Sequence, residues 1–103
     1  MFYLCEAVSV SPLPVPAEKV RDEIHPQHVV YVAEGVEKGI VVFGGPKSDN
    51  AGGVILVKAP SLAACQDFLD GDPMRRAGAS EYRVTEFLIK EHAPCLDPLL
   101  DGE

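Results

Sequence analysis

The sequence predicts an α+β fold of the ferredoxin-like kind: βαββαβ, a four-stranded antiparallel sheet with two helices on one face. Three observations predict it. Four short apolar runs read as strands, and two stretches with apolar residues at 3-and-4 spacing lie between the first and second runs and between the third and fourth. Glycine and proline clusters punctuate them, which gives the element order of a split βαβ unit. A chain of 103 residues is one domain by length, and burial of about 65% of its unfolded surface suffices for one modest core. Residues 1–91 form the expected domain and residues 92–103 a C-terminal tail.

The first strand is Phe2 to Val10, in which Phe2, Leu4, Val8 and Val10 alternate with smaller side chains. Pro12, Pro14 and Pro16 end it, because such a run continues neither a ladder nor a helix. Ala17 to Lys38 carries a helical pattern that stops at Gly39 and is kinked at Pro26. Ile40 to Phe43 is the second strand, Gly44 to Gly53 a glycine-rich turn, and Val54 to Val57 the third strand, paired with the second as a hairpin. Ser61 is a natural N-cap for a second helix with Leu62, Cys65, Phe68 and Leu69 on one stripe. Asp70-Gly71-Asp72-Pro73 ends that helix, a further turn spans Met74 to Gly78, and Tyr82 to Glu91 is the fourth strand.

The second and third strands are apolar at consecutive positions, so both of their faces favour a dry setting. Two helices cover only one face. A second copy of the chain is the expected cover for the other, giving a homodimer with sheets packed face to face or a higher oligomer, with Leu96, Leu99 and Leu100 as an arm. The pocket is expected between sheet and helices or at the seam between the two sheets.

Nine Lys and Arg against 16 Asp and Glu leave a net charge of -7, which disfavours nucleic-acid partners. No apolar run approaches a membrane span, and no export signal is apparent, since Glu6 interrupts the first apolar residues. Cys5, Cys65 and Cys95 are odd in number and widely spaced, so a reducing cytoplasmic setting is expected, with Cys5 and Cys65 as packing residues.

His28 falls on the apolar stripe of the first helix with Ile24, Tyr31, Val32 and Gly35. There it is either a core histidine bonded to a carbonyl or a site residue facing a pocket. His25 stands at i−3, but no nearby carboxylate or thiol completes a metal set, so no metal is expected. Asp72 is either a simple turn residue or the carboxylate that orients His28. Glu6 and Glu86 sit between large apolar neighbours and call for cationic partners, with Arg83, Lys58 and Arg75 available. Gly44-Gly45-Pro46 lacks the Lys-Ser/Thr of a phosphate loop and reads as a hairpin turn.

His28-Val29-Val30-Tyr31-Val32, Gly39-Ile40-Val41-Val42-Phe43-Gly44-Gly45-Pro46, Ser61-Leu62-Ala63-Ala64 and Asp72-Pro73, in that order, resemble the YCII (YciI-like) family over residues 1–91. The resemblance implies a dimeric α+β barrel and a pocket in which a helix histidine and an Asp-Pro aspartate, here His28 and Asp72, act together. It also implies chemistry like that of a dehydrochlorinase of chlorinated hydroxyhydroquinones, or of muconolactone isomerase in the wider superfamily, in the catabolism of aromatic compounds. Two positions depart from the family pattern: Ser9 stands where an aspartate is common, and His25 where an arginine is common.

The expected function is a cofactor-independent enzyme that transfers a proton in an elimination or isomerisation of a small cyclic or aromatic metabolite. His28 is its acid–base group, Asp72 its orienting partner, and Ser9 a hydrogen-bonding group. Tyr31, Phe43, Gly45 and Pro46 are the expected substrate-binding wall. The competing expectation is a non-catalytic ligand-binding or accessory subunit on the same dimeric scaffold.

Overall fold

The computed structural model describes residues 1–100. Strands β1 (Phe2–Ser9), β2 (Val41–Pro46), β3 (Gly53–Lys58) and β4 (Ser80–Phe87) form one antiparallel sheet in the order β2-β3-β1-β4. Helices α1 (Ala17–Lys19) and α2 (His25–Glu37) precede β2 and are joined by a π-type turn over Val20–Ile24. Helices α3 (Leu62–Asp70) and α4 (Pro73–Arg76) precede β4, and α5 (Asp97–Leu100) follows it.

The kink expected at Pro26 is this π-type turn. Pro26 has no N–H to donate, and its ring crowds the carbonyl four residues back, so the helix loosens one turn earlier and the His25 N–H bonds Val20 O. Gly39 stops α2 with φ 76°, a left-handed conformation that side chains disfavour. Ser61 caps α3 as expected, its hydroxyl accepting from Ala64 N at 3.1 Å.

Strand boundaries differ from expectation in all four strands, most at the ends of β2 and β4. The ladder continues through Gly44, Gly45 and Pro46, paired with Ile55, Val54 and Gly53, so these residues are strand and the turn begins at Lys47. Pro46 is tolerated because β2 is an edge strand. β1 stops at Ser9, although Val10 N still donates to Ala79 O. β4 ends at Phe87 because its partner strand begins at Phe2, which lies opposite, leaving residues 88–91 nothing to pair with.

The inner face of the sheet explains where empty space arises. At one end Tyr3, Cys5, Val41, Ile55 and Val57 pack with Ala59, Cys65 and Leu69 into a continuous core. A large side chain buried this way contributes about 1.5–3 kcal/mol. Cys5 and Cys65 lie in it with their sulfurs 3.8 Å apart, and burial followed by the neighbouring Cys65 pushes the Cys5 thiol up to about 12. A thiol in that state packs and does not attack. At the other end most inward residues are small, Ala7, Ser9, Gly44, Gly53 and Ser80, with Tyr82 the large exception opposite Ala7.

A β-bulge accounts for one of these small positions. Val41 pairs with Val57 on the inner face, but one extra residue between Val41 and Phe43 sets Phe43 opposite Leu56 on the outer face. Gly44 then takes the inward place opposite Ile55.

On the outer face the C-terminal segment lies along its own sheet. Leu96, Leu99 and Leu100 wall a groove of about 190 Å³ with Phe2, Phe43, Leu56 and Phe87, and Lys58 Nζ donates to Leu99 O at 3.0 Å. Residues 101–103 of the expected tail lie outside the described residues. Phe2 and Leu56 are buried, while Leu4, Phe43 and Phe87 remain 39%, 54% and 38% exposed. Glu6 finds Lys47 at 2.8 Å and Arg83 at 3.7 Å. Arg83 was among the expected partners and Lys47 was not, and Glu86 is exposed rather than buried.

A Cβ at Gly44 would stand 2.5 Å from Ile55 Cγ2 and 2.8 Å from Val54 O. Gly44→Ala should therefore lower stability by about 1–3 kcal/mol through overpacking. Urea denaturation of the two proteins measures it.

Candidate active site

The small residues leave a cavity of about 630 Å³ between the sheet and the N-terminal half of α2. Ala7, Ser9, Ser80 and Tyr82 floor it from β1 and β4, and Gly44, Gly45, Pro46, Asn50 and Gly52–Ile55 wall it from the hairpin. His25, His28, Val29 and Val32 of α2 close it from above, with Asp72 and Met74 at one side.

His28 and Asp72, 44 residues apart in the chain, meet here. Asp72 is the N-cap of α4 and accepts from Met74 N at 3.1 Å, so the turn reading of this residue holds too. The same oxygen, Oδ1, lies 2.7 Å from His28 Nδ1, and Tyr82 donates its hydroxyl to Oδ2 at 2.5 Å. Asp72 is 2% exposed, and its carboxylate therefore collects donors from α2, α4 and β4. Burial pushes its carboxyl group up, but the hydrogen bonds from His28 and Tyr82, the nearby imidazole and Met74 N outweigh burial and hold it below the usual carboxylate range. Burial first, and then the bond to Asp72, raise the Tyr82 phenol far above its ordinary value, so it stays a donor.

The tautomer of His28 follows. An ionised carboxylate only accepts, so Nδ1 carries the proton, and in the neutral ring Nε2 is left as the basic nitrogen. His28 is partly exposed and lines the cavity, and no protein group among the described residues bonds Nε2. His25, one turn earlier, is exposed at the cavity mouth with its ring centroid 5.6 Å from that of His28. Among the described residues no three His, Cys, Asp or Glu side chains form a metal-holding group.

The model of the YCII-related domain matches residues 1–88. The chain belongs to the YCII family. A search of curated proteins found no match to this sequence. Among solved structures, the 5-chloro-2-hydroxyhydroquinone dehydrochlorinase of Burkholderia phenoliruptrix AC1100, in complex with 2,5-dihydroxybenzoquinone, is similar with a TM-score of 0.67 and 20% identity. The match covers 85% of this chain and 94% of that one. Muconolactone isomerase is similar with a TM-score of 0.72 and 13% identity, covering 91% of this chain and 92% of that one. At such identities the likeness is one of fold, and both neighbours are enzymes of the dimeric α+β barrel superfamily.

In this YCII chain, His28, Asp72, Ser9, Gly45 and Pro46 come together on one cavity. Tyr31 and Phe43 do not. Tyr31 lies one turn beyond His28, stacks on Phe68 at 5.1 Å and donates to Phe68 O at 2.6 Å, so it ties α2 to the end of α3. Phe43 is turned to the outer face by the bulge. Tyr82, Ser80 and Asn50 line the cavity and were not anticipated. For Tyr82 a signal existed: a tyrosine on an inward strand position needs a partner for its hydroxyl.

Because the carboxyl group of Asp72 sits low in the folded state, its stabilisation is complete above an unfolded value of about 3.9. It is lost as pH falls through the lower folded value. Asp72→Asn should cost about 1–3 kcal/mol at neutral pH, with the deficit relative to wild type shrinking on acidification. Tyr82→Phe should cost a similar amount, and the double variant should show non-additive losses in denaturation experiments, since the two side chains share one bond.

Proposed function

We propose that this YCII protein is a cofactor-independent enzyme of lyase or isomerase type that moves a proton on a small cyclic or aromatic metabolite. The observation that carries this reading is the 2.7 Å contact of His28 with a buried carboxylate at the wall of an apolar cavity. Nε2 of His28 takes a proton from a ring carbon or hydroxyl of the substrate. Asp72 holds the ring in that tautomer and stabilises the imidazolium that forms, and the same nitrogen returns the proton at another atom or to a leaving group. Ser9 supplies a hydrogen bond from the floor, and the Gly45-Pro46 edge lies against the substrate. The dehydrochlorinase and isomerase activities of the two structural neighbours support a reaction of this type.

The reading includes a homodimer. Leu4, Phe43 and Phe87 remain partly exposed beside the C-terminal segment on the outer face, and a second sheet packed against this face would cover them, with that segment at the edge of the seam. Three free cysteines, two of them buried side by side, fit a reducing cytoplasm. Among the described residues no helix is long and apolar enough to cross a membrane.

Proton transfer can be followed before the substrate is known. In D2O, a panel of cyclic hydroxyketones and hydroquinones examined by NMR should include compounds whose ring C–H exchanges in the presence of the wild-type protein. His28→Ala should slow that exchange by at least about 100-fold with the melting temperature and oligomeric state nearly unchanged. Full exchange in His28→Ala would remove the mechanism, and no exchange with the wild-type protein would favour the ligand-binding subunit. Light scattering should report a dimer, and Phe43→Asp should shift it towards monomer.

A further inference from the structure

We propose that the cavity selects uncharged rings, those bearing hydroxyl, carbonyl or amide groups, and rejects carboxylates of the same size. The inference concerns the substrate class of the site described above and rests on that reading for its location.

Its basis is the charge inventory of the walls. The charged and titratable side chains facing the cavity are His25 and His28 from α2, Asp72 from the cap of α4, and Tyr82 from β4. β1 contributes Ala7 and Ser9, the hairpin contributes Asn50 with glycines and Pro46, and α4 contributes Met74. Among the described residues no Lys or Arg lines it. Lys47, next to Pro46, is engaged by Glu6 at 2.8 Å. Three hydrogen-bond donors keep Asp72 ionised. Whenever His28 is neutral, as a base must be, the site thus carries one buried negative charge with no fixed cation to offset it.

A second anion entering beside that carboxylate meets repulsion in a medium less polar than water. At a separation of about 6 Å and an effective dielectric constant of about 20, the penalty corresponds to on the order of a hundredfold in affinity. An uncharged ring escapes it. Its oxygen and nitrogen atoms find Ser9, Ser80, Asn50 and the imidazoles around an otherwise apolar wall.

The test uses two non-reactive probes of equal shape, benzamide and benzoate, titrated calorimetrically into the wild-type protein at about pH 8.5. Benzamide should bind about tenfold more tightly or better, and Asp72→Asn should narrow the gap. Equal or tighter binding of benzoate would overturn the inference, as would a gap unchanged in Asp72→Asn or no binding of either probe. A preference for the amide in a protein that exchanges no ring protons would strike the proton-transfer reading alone. Proton exchange together with carboxylate preference would strike this inference alone.

Discussion

The carboxylate of Asp72 is the point on which the cavity end of this molecule depends. A nearly fully buried charge is tolerated only when its oxygens are occupied, and here the donors come from three separate elements: His28 on α2, Met74 N on α4 and Tyr82 on β4. The same bonds that satisfy the charge fix where α2 and α4 sit over the sheet. They also set the proton on Nδ1 of His28 and so leave Nε2 as the basic nitrogen of the neutral ring. Structure and chemistry share one network, and the histidine cannot be oriented without also locking the fold around it.

A cavity is needed beside that histidine, and its origin is plain in the pleat. The inner face of the sheet changes from large to small side chains along its length, so the helices rest on a full core at one end and span a gap at the other. The bulge before Phe43 is the decisive irregularity. In an unbroken register Phe43 would share the inner face with Val41 and intrude on this space; the extra residue sends it outward and brings Gly44 in. One inserted residue thus opens the pocket and at the same time adds an aromatic ring to the outer face proposed for self-association.

Much of the fold was legible because it rests on periodic signals. Gly39 and Ser61 marked helix ends, Pro26 marked a helix irregularity, and element order led to the sheet. His28 was legible as an oddity, a polar ring on an apolar stripe, and the family resemblance joined it to Asp72. The bulge was not legible, since Val41, Val42 and Phe43 offer no glycine or proline to announce it, and Phe43, expected in the substrate-binding wall, lies on the outer face. Tyr31 was misplaced for a related reason: its helical position is shared with His28, but its hydroxyl reaches the end of α3 rather than the cavity. Tyr82 was passed over because a strand tyrosine shows its partner only once the chain is folded.

The central claim is that Asp72 holds His28 with its proton on Nδ1 and a free, basic Nε2 towards the cavity. Long-range 1H–15N correlation NMR on the imidazole rings tests it directly. In the neutral state the account predicts Nδ1–H as the dominant tautomer of His28, with a strongly deshielded proton that is lost or shifted in Asp72→Asn. A dominant Nε2–H tautomer, or a spectrum unaltered by that substitution, would contradict it.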